Sequence, residues 1–171
     1  MTVRAARPGD GPAIARIHLQ AARYYAELAP DDFRVPDEEG LGDGLDPTPE
    51  LLDDPATLFL VAEVDGEVGS VLIARLLPPH ARADVQIQPE LGQTRLEIGY
   101  LETDERFRRR GLATRLVSAA EEWGRAHGAT VAVTDTYHAS PLSLPFWTER
   151  MGYRPRSVSL RKPLEPSGEG P

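Results

Sequence analysis

The chain has 171 residues, of which 40% are hydrophobic and 27% charged, values typical of one globular domain. Its formal net charge of -8 argues against a nucleic-acid partner and is compatible with a cationic substrate such as an amine. The absence of cysteine, of an apolar run behind "MTVRAARPGDGPAI" and of any long apolar window predicts a cytoplasmic protein with no disulfide, cysteine nucleophile, signal peptide or membrane partner.

The first third of the chain predicts a strand, a helix and a loop. "TVRAA" is a short strand candidate, and "RPGDGPAIARIHLQAARYYAEL" predicts a helix capped by Asp10 or Gly11, with Pro12 in its first turn. The apolar face of this helix would consist of Ile14, Ile17, Leu19 and Ala21. Residues 30–47 are rich in Pro, Gly and Asp and predict a loop with a helical turn; "TPELLDD" predicts a brief helix capped by Thr48.

The middle and end of the chain alternate strands with helices. "TLFLVAEVDGEVGSVLIARLL" predicts a hairpin that turns at Asp65-Gly66, and residues 78–93 predict a second long loop. The remaining segments are the strand "TRLEIGYLET", a helix ended by Gly128, the strand "ATVAVTDTY", the helical "SPLSLPFWTERMG" and a last strand "SVSLRK" at 157–162.

This order predicts an α/β fold with a mixed sheet: an antiparallel first half, one strand–helix–strand crossover, and helices on both faces. We expect one domain at 1–162. Residues 163–171 are too rich in Pro and Gly to order themselves, and we expect a flexible tail there.

The crossover contains a basic turn, "DERFRRRGLATR", just before a helix. The first amides of a helix have no partner within it and lie at the positive end of its dipole, so they can bind a phosphate oxygen. Gly111 and Ala113 keep large side chains away from these amides. A solvated, arginine-rich surface turn is the alternative interpretation on charge alone.

The spacing Arg108-x-x-Gly111-x-Ala113 resembles the Arg/Gln-x-x-Gly-x-Gly/Ala signature of the GNAT superfamily of acyl-CoA-dependent N-acyltransferases. "LEIGYLETDERFR" is similar to the fourth strand of that family, "SPLSLPFWTERMGY" to its last motif and "VRAARPGDGPAIARI" to its first strand and helix. The resemblance covers nearly the whole chain and implies the GNAT fold.

The resemblance also implies an activity and a coenzyme: transfer of an acetyl group from acetyl-CoA to a primary amine. The main chain of Leu101 and Thr103 would bind the pantetheine arm, and the Leu101 N–H would bind the thioester oxygen. The implied coenzyme-binding residues are Leu101, Glu102, Thr103, Arg108, Arg109, Arg110, Gly111, Leu112, Ala113, Thr114, Ser140 and Trp147.

Glu97 is the expected general base, because several family members have a glutamate at this position of the fourth strand. Strict alternation would place Leu96, Ile98 and Tyr100 on one face of the strand, and Glu97, Gly99 and Leu101 on the other. The alternative is that Glu97 pairs with a nearby arginine such as Arg95 on the sheet surface.

The general acid departs from the family pattern. Trp147 stands where many members have the tyrosine that protonates the thiolate, and an indole N–H is not an acid at neutral pH. Tyr137, His138 and Ser140 follow the fifth strand and could reach the sulfur. His18 is expected to be a packing or surface residue.

The identity of the acceptor stays open between a small molecule and a peptide amine, and a homodimer is compatible with the family. Tyr24, Tyr25 and Phe33 would line the acceptor pocket or pack in the core. A loop at 78–93 that folded over the acceptor side would favour a small, enclosed acceptor. The rival functions are a non-catalytic acyl-CoA-binding module, which Trp147 supports, and a nucleotide-binding domain, which the single essential glycine of the turn opposes. No histidine and acid pair has metal-ligand spacing, so we expect no metal.

Overall fold

The computed structural model of the chain describes residues 1–162, and the predicted flexible tail lies outside the described residues. The strands are β1 (Thr2–Ala5), β2 (Thr57–Val64), β3 (Glu67–Leu77), β4 (Arg95–Thr103) and β5 (Val131–Thr134). The α-helices are α1 (Gly11–Leu28), α2 (Leu41–Gly44), α3 (Pro49–Leu52), α4 (Leu112–Ala126) and α5 (Ser143–Pro145). Short 3₁₀ turns occur at Ala83–Val85, Pro89–Gly92 and Glu105–Phe107, and a π-helical turn at Phe146–Arg150 follows α5.

The five strands form one sheet in the order β1-β2-β3-β4-β5. The first four strands pair antiparallel, and β4 and β5 pair parallel. A parallel pair requires a crossover, which α4 supplies between the two strands. The predicted mixed sheet, with an antiparallel first half and one crossover, is confirmed.

Each face of the sheet has its own hydrophobic core. The face under α4 buries Leu116, Val117 and Ala120 of the helix against residues such as Leu72 and Leu96 of the sheet. The opposite face packs against α1 through the cluster Ile14, Ile17, Phe59, Val61 and Val71. Helices on both faces are therefore confirmed, and the apolar stripe of each helix meets the apolar side of the strands.

The start of α1 differs from the expected cap. Asp10 occupies the N-cap position, but its carboxylate accepts hydrogen bonds from the Arg4 guanidinium and the Arg7 N–H instead of capping the helix. The carboxylate of Asp46, 35 residues away from Gly11, accepts the Gly11 N–H at 2.7 Å. The predicted N-cap position of Asp10 is confirmed, but its side chain does not cap the helix, because the carboxylate that binds the first helical N–H comes from tertiary structure.

The two long predicted loops have different surroundings. The 30–47 loop contains α2 and supplies Asp46 to the start of α1. The 78–93 loop ends beside the first residues of β4 and β5: the Thr130 hydroxyl donates to Gln93, and Glu90 forms an ion pair with Arg156. This loop therefore lies at the end of the β4–β5 pair where both strands begin.

The predicted last strand at 157–162 is wrong. Residues 154–162 have no helix or strand, and Val158 and Leu160 are 82% and 90% exposed. The alternation of Val158 and Leu160 with polar residues is typical of a strand, but a strand needs a neighbour to satisfy its main chain and a buried face to set its register. Arg161 instead forms an ion pair with Asp32.

No helix within residues 1–162 is both long enough and apolar enough to cross a membrane.

Gly69 allows the turn after β4 to pack against β3. A Cβ atom at Gly69 would lie 2.7 Å from the Phe107 ring and 2.9 Å from the Leu112 side chain, both closer than van der Waals contact. The absence of a side chain on β3 therefore positions the start of α4.

We expect Gly69→Ala to lower the free energy of unfolding by about 1–3 kcal/mol, because the added methyl group must displace Phe107 or Leu112. Urea unfolding followed by circular dichroism measures the change. Gly44→Ala is the matched control, since a Cβ at Gly44 meets no atom within 4 Å. Equal stability of the two variants would contradict the packing role of Gly69.

Candidate active site

The sheet opens between its two parallel strands. The β4–β5 ladder pairs Arg95 with Val131 at one end and Ile98 with Thr134 at the other, where the Thr134 hydroxyl donates to the Ile98 carbonyl at 2.9 Å. Beyond this point β5 has ended, whereas β4 continues to Thr103. The outer main-chain groups of β4 past Ile98 therefore face an opening instead of a neighbouring strand.

A cavity of about 170 Å³ lies in this opening. It is lined by Ile98–Leu101 of β4, by Thr134–Tyr137 at the end of β5, and by Tyr25 of α1. The 78–93 loop is at the far end of the same two strands, so it does not cover this cavity. The expectation of an acceptor site enclosed by that loop is therefore not met.

A bulge at Gly99 decides which side chains of β4 face α1. Ile98 pairs with Ala74 and Tyr100 pairs with Ile73, so Gly99 has no partner on β3. One extra residue reverses the alternation of the strand from that point onward.

The expected division of the β4 side chains is therefore wrong. Tyr100 packs in the core beside α1. The side chains on the α4 face are Leu96, Ile98 and Leu101. Because Glu97 alternates with Leu96 and Ile98, it lies on the α1 side, as Tyr100 does.

Glu97 is half-buried in the paired part of β4, opposite Arg75 on β3 and Val133 on β5. The cavity lining on β4 begins with the next residue, Ile98. Glu97 therefore lies at the closed end of the opening, on the side that α1 covers.

The end of β4 is held by Ser70, which is fully buried on β3. The Ser70 hydroxyl donates to the Glu102 carbonyl at 2.7 Å and lies 2.8 Å from the Thr103 hydroxyl. Alternate residues of a strand direct their main-chain groups to opposite neighbours. Because the Glu102 carbonyl points to β3, the main-chain groups of Leu101 and Thr103 point to the open side.

Asp104, directly after β4, is fully buried and anchors the turn into α4. Its N–H donates to the Gly69 carbonyl at 2.9 Å. Its carboxylate accepts the Arg106 N–H at 2.9 Å and the Arg106 guanidinium at 2.8 Å, and it forms an ion pair with Arg16 of α1. A buried carboxylate with this many charged and main-chain donors fixes the path of the chain.

The N-terminus of α4 is open. Gly111 and Arg109 have left-handed backbone angles (φ 82° and 61°), and no side chain caps the helix. The Arg115 N–H donates to the Gly111 carbonyl at 3.1 Å, so the amides of Leu112–Thr114 precede the first helical hydrogen bond. Apart from Gly111 and the two residues next to it in the chain, no residue has an atom within 4 Å of the place where a Gly111 Cβ would be. The positive end of the helix dipole is therefore accessible to an anion.

Arginines surround this open end. Arg109 and Arg110 are exposed and Arg108 is half-buried. The Arg110 guanidinium lies 5.4 Å from the centroid of the Phe107 ring, a cation–π distance. The turn is thus a local positive surface on a chain whose net charge is -8.

Three aromatic rings form the cavity wall opposite β4. Tyr25 and Phe33 have ring centroids 5.0 Å apart, and Phe33 and Tyr137 meet edge to face at 5.0 Å. All three rings line the cavity and pack on one another, and neither Tyr25 nor Phe33 belongs to one of the two hydrophobic cores. Their assignment to an acceptor pocket stays a prediction. The Tyr24 hydroxyl instead lies 3.2 Å from the Ser140 hydroxyl.

Tyr137 and His138 have different surroundings. Tyr137 lines the cavity, and its hydroxyl donates to Asp32 at 3.2 Å. Loss of solvent contact and the Asp32 carboxylate raise the pKa of Tyr137, so the phenol keeps its proton at neutral pH. His138 is exposed and borders the groove beside β5 instead of the cavity.

Ser140 and Trp147 are both buried. The Ser140 hydroxyl accepts the Ser143 N–H at 3.1 Å and so starts the turn into α5. Trp147 lines the cavity and packs edge to face with Phe146 and Tyr153. The structure thus gives Ser140 a local bonding role and Trp147 a wall position.

The sequence interpretation missed two groups of this site. Asp104 ends an apolar strand just before the arginine run, and an acid at that point signals an ion pair within the turn. The cluster of His18, Tyr100 and Glu102 joins α1 to β4 through hydrogen bonds. Strict alternation placed Tyr100 on the wrong face, so this cluster could not be predicted from the sequence.

Residues 20–153 match the model of the Acetyltransferase (GNAT) family, a span of well over half the chain. The chain belongs to the GNAT acetyltransferase family. It is therefore an acetyl-CoA-dependent N-acetyltransferase, and the predicted family, fold, enzyme class and coenzyme are confirmed.

Solved structures share the fold of this GNAT acetyltransferase. A mutant of the BH1408 protein from Bacillus halodurans has a TM-score of 0.80 at 20% identity, over 96% of this chain and 100% of that one. A ribosomal-protein-alanine N-acetyltransferase from Brucella melitensis has a TM-score of 0.59 at 18% identity, over 96% and 100% of the chains. An aminoglycoside 6'-N-acetyltransferase from Acinetobacter haemolyticus has a TM-score of 0.61 at 16% identity, over 96% of this chain and 100% of that one. No curated protein matches the chain.

Proposed function

We propose that this GNAT acetyltransferase transfers the acetyl group of acetyl-CoA by direct attack of a primary amine that binds on the α1 side of β4. The observation that carries the proposal is the alignment of two features at the end of β4. The strand pair opens past Ile98, and directly after Thr103 the chain enters the turn that leads to the open N-terminus of α4.

The residues around the turn fit the coenzyme. The amides of Arg109–Thr114 would hold the pyrophosphate, since Gly111 leaves space beside them and no side chain caps them. Arg108, Arg109 and Arg110 would add charged hydrogen bonds. The outward main-chain groups of Leu101 and Thr103 would bind the pantetheine arm in the opening, where the coenzyme presents a thioester to the amine.

The Leu101 N–H stabilises the transition state in this proposal. It points to the open side of β4, where a thioester carbonyl in the opening would meet it. A fixed N–H donor stabilises the negative charge that develops on that oxygen during attack. The chain supplies this donor from its main chain, so no side chain is required for the role.

Glu97 is the general base in this proposal. Its position at the closed end of the opening, on the α1 side, supports a role in accepting a proton from the amine, directly or through a water molecule. The exposed carboxylate of Asp135 at the cavity edge favours a cationic acceptor.

Tyr137 is the general acid in this proposal, in preference to His138. Tyr137 lines the cavity and holds its proton, whereas His138 faces the groove beside β5. Tyr137 would donate its proton to the sulfur as the carbon–sulfur bond breaks, in the role that Trp147 cannot take. Ser140 is already bonded to the Ser143 N–H.

The acceptor is a small molecule or a peptide amine. Family members with this fold include one named for ribosomal-protein alanine and one named for aminoglycosides. The opening is not covered by the 78–93 loop, so both classes have access to the α1 side. A release assay for coenzyme A, with a panel of small amines and N-terminal peptides, decides between them.

We expect Gly111→Asp to abolish turnover and to weaken coenzyme A binding at least about tenfold, because it places a carboxylate against the pyrophosphate site. Calorimetric titration with coenzyme A measures the affinity. Gly128→Asp is the matched control: Gly128 ends the same helix with φ 84° and similar open space, so it carries the same backbone strain. Equal loss of binding in both variants would refute the assigned pyrophosphate site.

We expect Glu97→Gln to reduce kcat by about 10²–10⁴-fold at neutral pH with unchanged coenzyme A affinity, because an amide cannot accept the proton of the amine. Steady-state kinetics and calorimetry measure the two quantities. Glu122→Gln, an exposed position on α4, is the control. Unchanged kcat in Glu97→Gln would remove Glu97 from the mechanism.

We expect Tyr137→Phe to lower kcat by about 10²-fold, whereas His138→Gln retains kcat within about twofold. Tyr137→Phe keeps the ring stack, and His138→Gln changes only an exposed side chain of the loop, so the stability of each variant should match the wild type. Pre-steady-state thiol release separates chemistry from product release. The reverse ranking of the two variants would assign the acid role to His138.

A further inference from the structure

Three polar side chains form a hydrogen-bonded cluster between α1 and β4. The Tyr100 hydroxyl donates to one oxygen of the Glu102 carboxylate. The other Glu102 oxygen lies 3.1 Å from His18 Nδ1, and the Tyr100 oxygen lies 3.2 Å from the same nitrogen. No role in binding the coenzyme or in the proposed chemistry accounts for this cluster.

The donors in the cluster follow from its geometry. A carboxylate only accepts hydrogen bonds, and the single proton of the Tyr100 hydroxyl is directed to Glu102. His18 Nδ1 must therefore carry a hydrogen and donate it to Glu102. The hydrogen bond to Glu102 raises the pKa of His18 against the opposing effect of burial.

The cluster connects the cavity with solvent. Tyr100 lines the cavity and packs in the α1 core, and burial together with the Glu102 charge raises its pKa. The side chain of Glu102 is 16% exposed and that of His18 is 30% exposed. The hydrogen bonds therefore run from a buried phenol at the cavity wall to two groups at the surface.

The bulge at Gly99 creates this connection. Without the extra residue, Tyr100 and Glu102 would face α4, and their side chains would have no contact with His18 on α1. With it, Glu97, Tyr100 and Glu102 all lie on the α1 side, where the acceptor amine approaches in the proposed function.

The net reaction requires a proton to leave the site. An acceptor enters as an ammonium ion, and its conversion to an amide removes two protons from the nitrogen. The thiolate gains one proton when it becomes the thiol of coenzyme A, so one proton passes to water in each turnover. Glu97, at the closed end of the opening, can accept one of the two protons and needs a partner for the other.

We infer that Tyr100 and Glu102 form the path by which the first proton of the ammonium ion leaves the cavity, with His18 as a positioning residue. The Tyr100 oxygen accepts that proton as its own proton moves to Glu102, and Glu102 then releases it to water at the surface. The amine nitrogen then forms its bond to the thioester carbon, the carbon–sulfur bond breaks, Glu97 takes the second proton and Tyr137 protonates the sulfur. Loss of that proton from Glu97 to water and uptake of one proton from water by the Tyr137 phenolate return both groups to their starting states. This inference rests on the proposed function.

Tyr100→Phe removes the path and keeps the ring in its core. We expect kcat/KM for the acceptor to fall by about tenfold or more at pH 7 and to return to within about twofold of the wild type above the pKa of the acceptor, where the amine is already neutral. A ring that serves only for packing would give a loss that does not depend on pH. The affinity for coenzyme A and the unfolding midpoint should match the wild type.

Two further variants make the experiment decisive. Glu102→Gln should reproduce the pH-dependent loss, and the Tyr100→Phe/Glu102→Gln double variant should lose no more than either single variant, because both act on one path. His18→Gln should lower kcat/KM at pH 7 without changing coenzyme A affinity. If Tyr100→Phe does not fold, the profile of Glu102→Gln alone carries the test.

Tyr153→Phe is the matched control. Tyr153 is also a partly buried tyrosine whose hydroxyl donates to a glutamate, Glu121, at 3.0 Å, but it lies beside β5 and away from the cavity. It should retain wild-type kcat/KM at every pH. Retained activity of Tyr100→Phe at pH 7, or a loss equal at all pH values, overturns the inference. A wild-type enzyme that acetylates no amine refutes the proposed function instead.

Discussion

The buried carboxylate of Asp104 holds the corner on which the site depends. It joins the end of β4 to β3 through its N–H, to the following turn through Arg106, and to α1 through Arg16. These three attachments determine where β4 stops and in which direction α4 starts. Because the carboxylate is removed from water, its partners are effectively obligatory: an unpaired charge there would cost several kcal/mol. The open amides of α4 are therefore held at a fixed distance from the open edge of β4.

The bulge at Gly99 divides β4 into two parts with different surroundings. Before the bulge, the strand is an ordinary member of the sheet, with leucine and isoleucine side chains under α4. After the bulge, the alternation of side chains between the two faces is reversed, so polar side chains are directed to α1. The main-chain groups on the side away from β3 have no neighbouring strand there. The catalytic proposal places the thioester at the unpaired main chain and the amine on the α1 side. Both placements rely on one unpaired residue.

Features that depend on local chemistry could be predicted from the sequence. The turn before α4, the hairpin at Asp65-Gly66 and the apolar stripes of α1 and α4 each follow from residue types within a few positions. Features that depend on distant partners could not. The cap of α1 comes from Asp46, the bulge at Gly99 appears only in the pairing with β3, and the strand pattern at 157–162 lacks a neighbour among residues 1–162. The cluster of His18, Tyr100 and Glu102 could not be predicted either, because it depends on the bulge.

In the proposed function, the coenzyme is held largely by peptide groups, with Gly111 at the place of closest approach. Peptide groups are common to every amino acid, so substitution at most of these positions leaves the donors in place. In that function, sequence change is tolerated on the coenzyme wall and concentrated on the opposite wall, where aromatic and acidic side chains would contact the acceptor. This difference between the two walls allows another chain to keep the same fold while it shares only a fifth of its residues with this one.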